Sequence, residues 1–266
     1  MNDQFFVNKE QDRFFKSFYG FKNNNEIFET MSDSINNLKA QGFNFDVPST
    51  LYRYRNEEYG LKEIEEEYIH LSSVDSMKDR FECLFSLSHL LDKILDEETG
   101  NYIADEFIDI WKKDLGICCF CEKYDSFSMW DRYADGYKGI CIEYDLPKLK
   151  LNKVVPIAVN YSKNAYEYCN KDVDNLFEYL LTSIIGSILT KNIEYSTEKE
   201  WRYISAINEP NVHVPESIKR VYLGTNCSKN KKKIIHACRK KGIEVIELTA
   251  SRHNYSFNEK CIVKSR

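Results

Sequence analysis

Glu198 and Glu200 stand one residue apart in Glu198-Lys199-Glu200-Trp201-Arg202. On an extended segment, side chains at i and i+2 share a face, so a cleft there would hold two carboxylates with Lys199 turned away. Like charges that close raise one pKa, which is the condition for general acid–base work. The plain alternative is a charged surface turn. A second segment is Thr50-Leu-Tyr-Arg-Tyr-Arg55, short and apolar enough to be a strand. Its Arg53 needs an anionic partner or a wet cleft, since an unpaired buried charge costs several kcal/mol. Alternation groups Arg53 with Leu51 and Arg55, and Tyr52 with Tyr54 on the other side; the guanidinium can take a phosphate or sit on an edge strand. The third segment ends in Ser72 and Ser73. Their hydroxyls can fix a ribose hydroxyl, orient a carboxylate, or cap the following helix.

Several chemistries lack their residues. There is no Walker loop, dinucleotide glycine fingerprint, His-Glu-x-x-His helix or Gly-x-Ser-x-Gly elbow. The five histidines do not fall at ligand spacing. Of nine cysteines, Cys118, Cys119 and Cys121 sit in an apolar run with no second pair elsewhere, so buried reduced thiols are expected and a metal is not. A magnesium-dependent nuclease would use Asp79, Glu82, Glu198 and Glu200, but the strand motif beyond Glu198-Lys199 is missing. A net charge of −5 argues against nonspecific nucleic-acid binding. The first residues lack the basic start and apolar stretch of a signal peptide, and no run nears the roughly 20 apolar residues a bilayer requires. A cytoplasmic protein that avoids membranes is expected.

The elements that must position these groups follow from periodicity. Residues 1–46 carry apolar side chains at threes and fours, broken at Asn23–Asn25, and predict an N-terminal helical appendage over 1–48. The main domain, 49–266, opens with the Thr50–Arg55 strand, a helix over Glu57–Glu67 and a strand over Tyr68–Ser73. Helices are expected over Asp75–Leu95 and Asn101–Asp114. Strands follow at Leu115–Cys121, Gly139–Tyr144, Val154–Tyr161, Trp201–Ser205, Arg220–Gly224 and Ile243–Glu247. Helices are expected at Ser126–Asp135, Val173–Leu189 and Lys229–Lys241, with Trp130 and Tyr133 together on a structural face. Strands outnumber crossover helices, which predicts an α+β fold with a mixed, mostly antiparallel central sheet flanked by helices.

The blocks Leu51-Tyr-Arg-Tyr54, Leu71-Ser-Ser73, Asp79-x-Phe81-Glu82, Cys119-Phe-Cys-Glu122, Met129-Trp130-x-x-Tyr133-Ala134-Asp135-Gly136-x-Lys138-Gly139-Ile140 and Glu198-x-Glu200-Trp201-Arg202 resemble a bacterial family of unknown function related to AbiGi-type abortive-infection proteins. The resemblance spans about residues 50–225. Where that family has Asn-Asp-Pro-Phe, this chain has Lys78-Asp79-Arg80-Phe81. The order Arg, Ser, Glu-x-Glu is also similar to that of Arg-Ser-Glu ADP-ribosyltransferases. That likeness implies an ADP-ribosyltransferase-like sheet, NAD as substrate and no metal. It implies that Arg53, with Tyr52 beside it, holds an NAD phosphate and that Ser72 or Ser73 orients the last carboxylate. Glu200 would hold the nicotinamide ribose and stabilise the cationic transition state, and Glu198 would serve the acceptor. The function so implied is an NAD-using effector of phage defence or a toxin system, transferring ADP-ribose to a protein or nucleic acid or hydrolysing NAD, with a regulatory or antitoxin partner at residues 1–48. The rivals are a non-catalytic sensor or interaction module and the metal-dependent nuclease.

Overall fold

A computed structural model describes residues 33–77, 83, 115–167, 176–206 and 210–264. The expected helices before residue 33, most of 75–95, all of 101–114, and the residues Asp79, Glu82 and Cys169 lie outside the described residues. Strand β1 (Thr50–Arg55) is followed by α1 (Glu57–Glu66), whose first turn is capped by Asn56 accepting from the Tyr59 amide. The expected strand over Tyr68–Ser73 breaks at Leu71 into β2 (Tyr68–His70) and β3 (Ser72–Ser73), which belong to different sheets. The Leu71 amide, lost to both ladders, donates instead to the Pro210 carbonyl. A 3-10 turn at Val74–Ser76 comes next, and Ser73 at its start makes no side-chain capping bond.

Strand β4 (Leu115–Cys121), helix α2 (Phe127–Tyr133), strand β5 (Ile140–Asp145) and helix α3 (Leu146–Leu151) form the middle of the chain. The single strand expected over Val154–Tyr161 is two short ones, β6 (Ile157–Ala158) and β7 (Asn160–Ser162). Helix α4 (Leu176–Ile188), strand β8 (Thr190–Asn192), a 3-10 helix at Ile193–Glu198 and β9 (Glu200–Ala206) carry the carboxylate segment. Strands β10 (Asn211–His213) and β11 (Ile218–Leu223), helix α5 (Lys231–Lys241), and strands β12 (Glu244–Ala250) and β13 (Phe257–Val263) complete the described chain.

The fold is α+β with a mixed, mostly antiparallel sheet in the order β13-β12-β11-β5-β1-β4-β9-β6, and β3 added beside β4. Among its described strands only β11 and β12 run parallel, joined by α5 as a crossover requires. β1 and β5 pair over six positions, and β4 and β9 over seven. The two halves are joined by much less: β1 meets β4 at one register pair, Tyr52 with Cys121. The other end of β4 is taken by β3, through Ser72 with Ile117 and Ser73 with Gly116. The sheet therefore splays between β1 and β4.

Register pairs share a face, so Tyr52, Cys121 and Glu200 lie on one face, and Arg53 and Cys118 on the other. The second face is covered by a continuous core that runs from Leu51 and Ile142 through Phe120 to Trp201. On the first face the core is divided. One part, around α4, holds Ile117, Ile184, Ile188 and Ile204; the other, under α2, holds Tyr54, Met129, Trp130 and Tyr222. The described part of the N-terminal region, helical at 33–40, joins the α4 part through Leu38 and Phe43, and Asn37 donates to Glu178 at 2.6 Å. No helix among the described residues is long and apolar enough to cross a membrane.

Candidate functional site

A cavity of about 790 Å³ opens where the sheet splays, a size within the roughly 300–1,000 Å³ of ligand pockets. Tyr52, Arg53, Ser72, Glu198 and Glu200 all line it. Ser73 does not; its carbonyl accepts from the Ser76 hydroxyl at 2.6 Å. The remaining walls include Cys119, Cys121, Met129, Arg132, Tyr133, Lys191 and Tyr195.

Arg53 reaches the cavity from the face opposite Glu200, and its guanidinium is already occupied. It donates to the Cys118 sulfur and, at 3.0 Å, to the His70 carbonyl, and lies 3.5 Å from Glu63 Oε1. Arg55 Nε meets the same oxygen at 3.0 Å. Glu63 is fully buried between them, in ionic contact but without an aligned hydrogen bond among the described residues. Burial pushes the Cys118 thiol up to about 11 against the pull of Arg53, so it is an un-ionised thiol and not a nucleophile at neutral pH.

The carboxylate pair is built differently from the sequence expectation. Glu198 ends a 3-10 helix, Lys199 turns the chain with φ of 48°, and Glu200 opens β9. Extended alternation does not bring the two carboxylates together; the left-handed turn at Lys199 does, leaving Lys199 itself exposed. Between them sits Lys191, buried, with Nζ 2.8 Å from Glu198 Oε2 and 2.9 Å from Glu200 Oε2. Arg202 closes on Glu200 from below, Nε to Oε1 at 2.7 Å and Nη2 to Oε2 at 3.2 Å, and donates to the Ile188 carbonyl. Cys119 also donates to Glu200. From above, Arg132 Nη1 reaches Glu198 Oε1 at 3.3 Å and the Tyr133 hydroxyl donates to the same atom at 3.2 Å.

The raised carboxylate pKa expected from two like charges does not hold for Glu200. Burial alone would raise it, but the Arg202 and Lys191 charges and their hydrogen bonds outweigh burial and hold it at about 2. Glu200 is thus a fixed anion. The expectation failed because it counted the carboxylates and not the cations supplied from β8 and β9.

α2 presents two residues to this network. Trp130 is fully buried, edge-on to Tyr54 at 5.1 Å, with its indole N–H donating to the Tyr124 carbonyl at 2.7 Å. Tyr133 does not share its structural role: it is 44% exposed and faces the cavity. Tyr195 lies between two cations, its ring 4.9 Å from Lys191 Nζ and 5.7 Å from the Arg132 guanidinium. Tyr161 supports the segment from behind, its hydroxyl accepting from the Glu200 amide at 2.8 Å. Neither Arg132 nor Tyr133 was assigned to the site from sequence, although both stand in the Met129–Ile140 block. The spacing of Trp130 and Tyr133 reads as one structural helix face, and only the contacts of Arg132 and Tyr133 with Glu198 show otherwise. Among the described residues, no cluster of His, Cys, Asp and Glu could hold a metal ion.

Residues 129–203 match the model of a family described as a protein of unknown function, DUF2971. The match takes in Arg132, Lys191, Glu198 and Glu200, four of the six charged residues that line the cavity. No curated protein and no solved structure matches the chain.

Proposed function

We propose that the chain is an NAD-using effector of a bacterial phage-defence or toxin system, transferring ADP-ribose to a protein or nucleic acid, or to water. The observation that carries the reading is that Arg53, Ser72, Glu198 and Glu200 line one cavity of dinucleotide size. The defence context rests on the AbiGi-type resemblance of the sequence blocks. The chemistry suits the site: the bond between ribose C1′ and nicotinamide breaks with its electron pair leaving on nicotinamide, and the ribosyl cation is met by an acceptor oxygen or nitrogen whose proton goes to a carboxylate. Glu198 is the carboxylate for that proton, since it meets the half-exposed Arg132 and Tyr133 at the open side. Glu200, saturated by Arg202, Lys191 and Cys119, is a positioning residue that fixes Lys191 and adds its negative charge to the field. A regulatory or antitoxin partner at residues 1–48 stays within this proposal.

The second reading, a non-catalytic sensor, is favoured by one observation: both carboxylates are already matched by cations. Purified protein incubated with NAD, with and without cell lysate, separates the two. Nicotinamide release, with label from NAD appended to a lysate component, is expected. Glu198→Gln is expected to cut transfer by about 10²-fold or more with the melting temperature little changed, because Lys191 keeps Glu200 and Arg132 reaches water. Absence of nicotinamide release in both arms would remove the transferase reading and leave the sensor.

A further inference from the structure

We infer that Arg132 is the residue that receives an anionic ligand in this cavity, and that the ligand carries a phosphate or pyrophosphate group. The inference rests on the cavity being a ligand site and deepens the reading above; it does not require that the ligand be NAD.

The charged groups form an alternating chain, Arg132–Glu198–Lys191–Glu200–Arg202, linked by contacts of 2.7–3.3 Å. At the inner end Arg202 is fully buried and also bound to the Ile188 carbonyl. At the outer end Arg132 is 53% exposed, turned toward the cavity, and meets one carboxylate through one nitrogen. A guanidinium in that state has donors left for a bidentate phosphate contact. The residue expected to hold phosphate, Arg53, lacks that freedom: it is buried, on the opposite face, and engaged by Cys118, His70 and Glu63. Tyr195, beside Arg132, offers an aromatic face next to the proposed phosphate position. A phosphate that draws Arg132 away also lifts one donor from Glu198 Oε1, leaving that oxygen better able to accept a proton from a nucleophile.

Isothermal titration of the full chain with inorganic pyrophosphate and with ADP-ribose tests this. Wild type is expected to bind both, Arg132→Ala to bind both at least about tenfold more weakly, and Arg132→Lys to recover part of the loss. Arg132 is half-exposed, so its variants should melt like wild type, which a thermal scan checks. Wild-type protein that binds neither probe, or an Arg132→Ala protein that binds as tightly as wild type, would overturn the inference. Pyrophosphate binding through Arg132 without NAD cleavage would sink the NAD reading alone. NAD cleavage with an unchanged KM in Arg132→Ala would sink this inference alone.

Discussion

Lys191 is the residue on which the site depends, since it is buried and shared by two carboxylates. Replacing Glu200 by Gln leaves Lys191 and Arg202 undercompensated inside the protein, and breaking a buried pair in this way costs about 3–5 kcal/mol. Chemical denaturation of Glu200→Gln is expected to show a loss of that order, whatever happens to activity. The pH dependence has a definite sign. Glu200 titrates near 2 in the folded chain against 4.5 for a free carboxylate, so its contribution is present above about pH 4.5 and lost as pH falls toward 2. Acid unfolding of wild type should steepen in that window, and Glu200→Gln should flatten it; circular dichroism against pH reads both. The second buried cluster predicts a matching result. Glu63→Gln leaves Arg53 and Arg55 facing each other without a counter-charge, and should destabilise by a similar few kcal/mol. At this scale the sequence was legible for residue types and not for their states. It marked Arg53, Ser72, Glu198 and Glu200, and the buried cations Lys191 and Arg202 lie close by in sequence, but the other partners of Arg53 and Glu198 come from distant segments. Arg53 is 65 residues from Cys118, and Arg132 is 66 from Glu198.

The elements were legible where periodicity and local signals agreed. β4 falls on the expected residues, and α1, α2, β5, β9 and α5 fall within a residue or two of theirs. Two failures have one physical cause, the assignment of a continuous apolar run to one partner, while β8, β10 and β13 were not expected at all. Tyr68–Ser73 and Val154–Tyr161 each read as one strand, but each is divided between two sheets, and no local residue pattern records which neighbour a strand edge will find. The link from α2 to β5 is set by steric necessity. A Cβ on Gly139 would come 2.1 Å from the Arg55 carbonyl oxygen and 3.0 Å from that of Ala134. Gly139→Ala should therefore push α2 off β1 and cost at least about 1–3 kcal/mol, with Arg132 and Tyr133 displaced from Glu198. Loss of ligand affinity together with a lower melting temperature is the expected result. Trp130→Ala, which empties the space between α2 and Tyr54, should cost about 3–5 kcal/mol; a variant that melts like wild type would contradict that packing role.

For the molecule as a whole, the α+β class and the mixed sheet were readable from the count and order of strands, while the splay between β1 and β4 was not. It depends on β3 taking the edge of β4 that β1 leaves, a competition between strands settled only in three dimensions. That splay also has a mechanical consequence. With one ladder contact at Tyr52 and Cys121, a continuous core behind and a divided core in front, the sheet is bound like a book along its spine and joined along its fore-edge by the contacts of Arg132 and Tyr133 with Glu198. Amides in β4 and β9 and amides in β5 and β11 then belong to separate leaves, and their hydrogen exchange in the empty protein should fall into two protection classes. An anion that engages Arg132 alters the link along the fore-edge and with it the difference between the two classes, so exchange alone would report occupancy of the cavity without any assay of chemistry.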